Sequence, residues 1–538
     1  MARTPLFAQL QRHFRIAAAA EQMGLTPELY LDQRARNPGI TRRQAIAGIG
    51  AAATMTAMPG WAGKKAPRIA IVGAGMAGLN CALTLHDAGI ASTVYEASSR
   101  VGGRMFSLEA GQYWAQNQVS EWMGELIDSG HLHMQRLARR FGLPLDDLLA
   151  AEPAGSEDSY QFFGRYYRYA DARRDFQAIY QSLKAEQRTA PFPSTYDNIT
   201  PRGIELDAMS IRDYLARTIP GGLQSPLAAL LGTAYAPEYA ADIEDQSALN
   251  LLYLLAFQPD PQGFLVFGES DEQFHIRGGN AQLPRAMAAS LPAGSIQFGQ
   301  KLVKLARSSG GAQQLTFEDG SQTLEITADL VVLALPFATL ANVDLRQAGF
   351  DELKLKAIRE QGRGKSGKTQ LQCSSRFWNS TGAWPGISNG ASYADTGYQS
   401  SWDVTRAQAG GMGILNLFTG GSVTANLRSN KAFGMASNGA VLADVQTLMG
   451  RAELVLPGLS SSFTGLATQS LPHLSPYFGL SYSYYRVGQY RQFCGYEGAA
   501  QGGVHFCGEH TSINYQGYME GAAETGASVG KMLAMLAR

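Results

Sequence analysis

Along this chain the apolar positions fall into three kinds of run. Ile69–Val72 is short and continuous, with no polar alternation, and predicts a parallel strand buried on both faces. Leu79, Ala82, Leu83 and Leu85 then recur at helical spacing, and Ala91–Tyr95 predicts a second strand. Near the far end, Val504–Cys507 predicts another short strand, and a helix opens near Tyr518–Gly521. Thr369, Leu371 and Cys373 alternate as a strand does, and Lys301–Leu305 is strand-like. From Phe141 to Phe274 the spacing is mainly helical, clearest in Ile211–Leu215, Leu227–Leu231 and Leu249–Leu255. Stretches near 151–160 and 189–203, rich in Pro and Ser, read as loops. A sheet from about 365 to 485 is expected to complete the helical region.

The first strand runs into Gly73-Ala-Gly75-Met-Ala-Gly78, and the second ends on Glu96. Strand before, helix after and an acid about 20 residues on are the setting in which such a glycine pattern binds a dinucleotide. Gly73 permits the tight turn, Gly75 lets backbone approach a pyrophosphate, and Gly78 lets helix and strand pack closely. The helix N-terminus offers unpaired N–H groups to phosphate. Glu96 suits ribose hydroxyls and would repel a 2′-phosphate, which disfavours NADP. Directly after it, Arg100-Val-Gly-Gly103-Arg104 adds two guanidinium forks that a plain NAD site does not need.

Arg100–Arg104 resembles the segment after the ribose-binding acid in flavin-containing amine oxidases of the monoamine oxidase and L-amino-acid oxidase type. The run Val504–Gly526 (VHFCGEHTSINYQGYMEGAAETG) resembles that superfamily's C-terminal flavin-binding segment. There the counterpart of Glu509 bonds the ribityl chain, and the helix N-terminus at Met519 faces the pyrimidine end of the flavin. The turn Arg277–Pro284, the adenine-contacting strand around Val303 and the strand Val331–Pro336 also resemble it. The likeness spans most of 68–538, dense at the ends and sparse from about 140 to 270.

It implies an α/β protein with a discontinuous Rossmann-like FAD-binding domain and an α+β substrate domain with a mixed sheet. The corresponding segments are 66–135, 273–345 and 489–538 for FAD, and 136–272 and 346–488 for substrate, after an extension over 1–64. The cofactor implied is FAD.

The resemblance also points to a site. A lysine ten residues before Trp378 is Lys368, the expected holder of a water at flavin N5, with Lys365 as competitor. Tyr482 and Tyr518 match the two walls of the family's aromatic substrate cage. An uncharged amine between them would pass hydride from its α-carbon to the flavin. The imine would then hydrolyse, and dioxygen or another acceptor would reoxidise the cofactor, dioxygen yielding hydrogen peroxide. Monoamine oxidases tether flavin through a cysteine where this chain has Ser481, so the FAD is expected to be non-covalent. Glu121–Asp128 resembles a turn at the flavin face. Where amino-acid oxidases follow that turn with a carboxylate-binding arginine, this chain has Glu125, Leu126 and Ile127. Arg486 could substitute. The expected substrate is thus a primary or secondary amine. The alternatives are an L-amino acid, a desaturase or isomerase reaction, or FAD binding without turnover.

Composition narrows the partners. Lys plus Arg (45) balance Asp plus Glu (45), and no basic patch suggests nucleic acid. Four cysteines form no CxxC pair, and His131-x-His133 is read as a helix start, so no metal site is expected. Thr41-Arg-Arg-Gln-Ala-Ile-Ala47 and the small-residue run to about Met58 fit a twin-arginine export signal, too short and mild for a membrane span. The expected location is periplasmic or secreted, with a cytoplasmic protein carrying a helical extension as the alternative. A homodimer is allowed by these features but not required.

Overall fold

The computed structural model describes residues 66–320 and 322–537. The proposed export signal lies outside them.

Ile69–Val72 is buried along its whole length and forms the centre of a five-stranded parallel sheet. On one side it pairs with Leu330–Leu333, in register Ile69 to Leu330, and that strand pairs with Val504–Phe506. On the other lies Thr93–Tyr95, followed by Ile296–Gln297. One sheet therefore draws on widely separated parts of the chain. Such a crossover topology is natural for parallel strands, which need long connections. The helix Met76–Asp87 follows the first strand, and the C-terminal helix Met519–Leu536 packs against it. Their contact is backbone to backbone: a Cβ on Gly526 would lie 2.2 Å from the Ala77 carbonyl oxygen.

A four-stranded sheet holds Asp344–Gln347, Lys301–Arg307, Gln313–Asp319 and Gln322–Ala328 in that order. The larger layer is an eight-stranded mixed sheet. Ser366–Cys373 lies inside it between Phe463–Ser470 and Gly413–Gly420, antiparallel to both. Beyond Gly413–Gly420 come Gln399–Asp403, Ile387–Ala394, Ser156–Phe162 and Arg165–Tyr167, and beyond Phe463–Ser470 comes Phe433–Met435; only the Ile387–Ala394 pairing with Ser156–Phe162 is parallel. Two expectations change here. The stretch 151–160 is not all loop, because Ser156–Phe162 is a strand whose second half is buried. Its polar start (Ser-Glu-Asp-Ser) hides the pairing that Ile387–Ala394 supplies. The sheet is consequently not confined to 365–485.

The helices predicted between Phe141 and Phe274 are present, with local reasons for their starts. Ser210, Ser225 and Ser247 accept backbone N–H bonds at the N-termini of Ile211–Thr218, Pro226–Glu238 and Ala248–Leu255, and Pro226 occupies a first-turn position where its missing N–H costs nothing. Pro201 likewise opens a helix, Pro201–Asp207, that begins within the expected 189–203 loop. One apolar core joins these helices to the parallel sheet: Leu215, Leu231, Tyr235 and Leu251 belong to the same cluster as Val72, Val331 and Phe506. Among the described residues no helix is long and apolar enough to cross a membrane.

Candidate active site

The glycine turn is built as its sequence requires. Gly73 sits at φ +106° with its would-be Cβ 2.8 Å from the Ala334 carbonyl oxygen. A Cβ on Gly78 would meet the Gly73 carbonyl oxygen at 1.9 Å, so that position cannot carry a side chain without moving backbone. Gly75 is different: only Gly103 Cα comes as near as 4.0 Å, leaving its surface open. No side chain caps the helix that begins at Met76, and its first turn holds no acid. An open glycine surface beside uncapped N–H groups fits a pyrophosphate.

Glu96 is buried and oriented by three donors, Ala74 N (2.8 Å), Ser98 N (2.9 Å) and Ser98 Oγ (2.7 Å). Arg100 turns back on its own loop. It donates to the carbonyls of Val101 and Gly103, and its guanidinium covers the Phe106 ring at 4.0 Å. Its visible work is to fix the Gly102–Gly103 turn, where both glycines have positive φ. Arg104 instead reaches across the chain, donating to the Ser481 carbonyl (2.8 Å) and to Glu509 (2.9 Å). Glu509 also accepts from Ser483 Oγ and Gly517 N. Burial opposes ionisation of Glu509, yet the Arg104 charge, nearby His510 and the bonds from Ser483 and Arg104 hold its carboxyl below the usual range. Val303 falls at a bulge: Leu302 and Lys304 pair with Phe317 and Thr316, and Val303 has no partner in that ladder. Its backbone is thereby left for another contact.

Lys368 and Lys365 have separate fates. Lys365 is exposed, whereas Lys368 is buried and its ammonium is ion-paired with Glu125. Trp402 Nε1 donates to the other Glu125 oxygen at 2.9 Å, and the ammonium lies 5.4 Å from the Trp402 ring centre. Burial pushes the Glu125 carboxyl up, but the Lys368 charge and bond and the Trp402 bond bring it below its ordinary value. Asn280 holds the turn by donating to the carbonyls of Gly124 and Glu125. Met519 packs on the same turn, its sulfur 2.9 Å from where a Gly124 Cβ would stand. Behind it, buried Glu121 accepts from Ser107 Oγ and Asn280 N and pairs with His275 at 2.9 Å.

Tyr482 and Tyr518 both hydrogen-bond to the end of one helix, Pro226–Glu238. Tyr482 donates to the Pro237 carbonyl, and Tyr518 donates to Glu238 at 2.8 Å. Tyr482 also lies against Gly517, the neighbour of Tyr518. Burial holds both phenols protonated, well above their ordinary range. Tyr484 and Tyr485 point elsewhere, to Asp245 and Glu497. Ser481 is tied to the start of the lysine strand, accepting from Ser366 N at 2.7 Å. This bond brings the Tyr482 segment beside the strand that carries Lys368.

Arg486 is exposed and paired with Asp245, so it does not offer an unspent guanidinium. His131 and His133 do start a helix; His131 pairs with Asp128 and His133 with Glu520. Sequence reasoning missed Trp402 and Glu238, because each is brought in by tertiary packing without a local motif. Glu125 was visible as a departure from the family turn, but its pairing with Lys368 was not.

The sequence model of the flavin-containing amine oxidoreductase family matches residues 76–529. An L-amino-acid oxidase of Pseudechis australis is 22% identical over 493 residues, covering 86% of each chain. The putative L-amino-acid oxidase YobN of Bacillus subtilis (strain 168) is 25% identical over 480 residues, covering 86% of this chain and 93% of the relative. Among solved structures, cyclohexylamine oxidase from Brevibacterium oxydans IH-35A superposes with a TM-score of 0.72 at 18% identity, over 88% of this chain and 99% of that one. Putrescine oxidase bound to putrescine gives 0.72 at 16% identity, over 87% and 98%.

Proposed function

The chain belongs to the flavin-containing amine oxidoreductase family and is an FAD-dependent enzyme, and from that premise we propose that it oxidises a primary or secondary amine to an imine that hydrolyses in water. Bound FAD supplies the hydride acceptor, and its reoxidation by dioxygen would release hydrogen peroxide. The nucleotide would lie on Gly73, Gly75 and Gly78, with Glu96 at its ribose, Arg104 and Gly103 at the pyrophosphate turn, Val303 at the adenine, and Glu509 and Met519 at the flavin end. Arg100 supports that turn. Tyr482 and Tyr518 hold the substrate by its alkyl groups, and their neutral hydroxyls do not oppose an uncharged nitrogen. Lys368, held by Glu125, is placed to orient a water at the reacting edge.

The observation that carries the amine reading is Glu125. It stands where an arginine would receive an amino acid's carboxylate, and it fixes the nearby lysine as its own partner. An anionic substrate group there would be repelled. The sequence relatives named L-amino-acid oxidases favour the second reading, an L-amino acid. A peroxide assay comparing amino acids with their decarboxylated amines separates the two. Turnover confined to amino acids would overturn the amine reading. We propose further that the FAD is non-covalent, since Ser481 offers no thiol. Acid precipitation should then leave yellow FAD in the supernatant; colour in the pellet contradicts this. Export through a twin-arginine route is proposed from residues 41–62, and fractionation of cells making the full chain tests it.

A further inference from the structure

Tyr518 is held at both ends, but those ties do not fix the plane of its ring. Its backbone N–H donates to the Tyr515 carbonyl (3.2 Å), and its hydroxyl donates to Glu238 (2.8 Å). These two anchors set the long axis of the phenol. Rotation about that axis stays soft, because the second side-chain torsion of tyrosine has broad minima. For one wall of a substrate cage, this rotation decides which way the flat face of the ring looks.

A single side chain answers that freedom. His131 is buried, and its ring centre lies 5.3 Å from that of Tyr518 at an interplanar angle of 62°, and 5.5 Å from that of Tyr515 at 85°. Steep contacts of this kind are favoured between aromatic rings and resist rotation of either one. The imidazole is itself held at both nitrogens. Nδ1 accepts from the Asp128 N–H at 2.9 Å, which puts the proton of the neutral ring on Nε2, 3.3 Å from Asp128 Oδ2. Asp128 is fixed in turn by the Glu272 N–H at its other oxygen (3.0 Å). Farther along the same two segments, the Glu520 carboxylate accepts from the N–H groups of His133 (2.8 Å) and Met134 (2.9 Å). Those bonds close the start of the helix Leu132–Arg140 onto the start of the helix Met519–Leu536. His131 therefore stands on a rigid base against the ring of Tyr518.

We propose that His131 is a positioning residue for amine oxidation: it sets the tilt of the Tyr518 ring and so the alignment of the substrate in the cage. The inference rests on the amine-oxidation reading and adds to it the residue that holds one wall.

The test is a double-mutant cycle on the holoenzyme. Stopped-flow reduction of the flavin by pentylamine and by benzylamine is followed without oxygen in wild type, His131→Asn, Tyr518→Leu and the double variant. Asparagine keeps an acceptor for the Asp128 N–H and removes the ring. Alone it should lower the limiting rate of reduction by about tenfold or more, the size expected for a misaligned reacting pair, while the amine concentration giving half that rate moves by less than about threefold. In the Tyr518→Leu background the same substitution should change the limiting rate by less than about twofold, because the wall it serves is gone. Equal losses in the two backgrounds would make His131 a general packing residue and overturn the proposal, as would wild-type rates in His131→Asn. If His131→Asn yields no yellow protein, His131→Gln goes through the same cycle with the same criteria. Failure of every amine to reduce the wild-type flavin sinks the amine-oxidation reading and this inference with it, whereas reduction of wild type without coupling between the two positions sinks this inference alone.

Discussion

Ile69–Val72 and Ser366–Cys373 are both buried at every residue, yet one reads IAIV and the other SGKTQLQC. The first needs only apolar neighbours, and the parallel sheet and its helices provide them. The second alternates between two environments. Leu371 and Cys373 point into an apolar cluster with Trp378 and Leu415. Lys368, Gln370 and Gln372 face the turn 115–125, where Glu125, the Glu121 carbonyl and the Ala115 and Gln118 oxygens accept from them. An apolar strand is stable wherever water is excluded. A polar buried strand is stable only against one complementary surface, because each unpaired group would cost about 1–3 kcal/mol. Such commitment to a partner is what the candidate active site is made of.

The largest blow to the apolar half should come from Gly78→Ala. Its methyl would overlap the Gly73 carbonyl oxygen, so the turn must open. We expect protein that purifies without bound FAD, with roughly 3 kcal/mol or more of stability lost in denaturant titration. Normal flavin content would show that this turn is more pliable than its geometry indicates.

For the polar half, Lys368→Met leaves Glu125 as an uncompensated buried charge, at a cost of about 3 kcal/mol or more. Flavin reduction or reoxidation should slow by about tenfold or more in stopped-flow traces. Adding Glu125→Gln to that variant should restore much of the stability but not the rate. Unchanged traces in the single variant would remove Lys368 from the site.

A gain is expected at Glu238. Its folded pKa, about 7, lies above the ordinary 4.5, so unionised folded protein competes with an ionised unfolded chain. Stability therefore falls as pH rises from about 4.5 to about 7 and stays lower above it. Glu238→Gln, which keeps an acceptor for Tyr518, should stabilise the holoenzyme by up to about 3 kcal/mol above pH 7. At the acid end of that window it should change little. Equal effects at both ends, by thermal melts, would show that the carboxyl is not held protonated. Glu125 has the opposite sign: its lowered pKa gives stability that is complete above about 4.5 and is lost as pH falls further.

The smallest effect belongs to Arg486→Ala. The Arg486–Asp245 pair is exposed, so its loss should shift stability by no more than about 1 kcal/mol. Activity with amino acids relative to amines should not change. A selective loss of amino-acid turnover would restore Arg486 as a carboxylate anchor.

The sequence by itself determined the parallel sheet, the glycine turn, Glu96 and the two matched flavin segments. Those features follow from local rules: continuous apolar runs, positions where no Cβ fits, and a helix start left uncapped. It also singled out Lys368, Tyr482 and Tyr518, through motif position. Only the tertiary structure decided that Lys368 answers to Glu125 and that both tyrosines lean on the end of the helix 226–238. The two acids, Glu125 and Glu238, lie in unrelated stretches, at a turn and a helix end, and nothing in their own neighbourhoods marks them. Charge acts through space, so what a carboxylate does is set by what folding places around it.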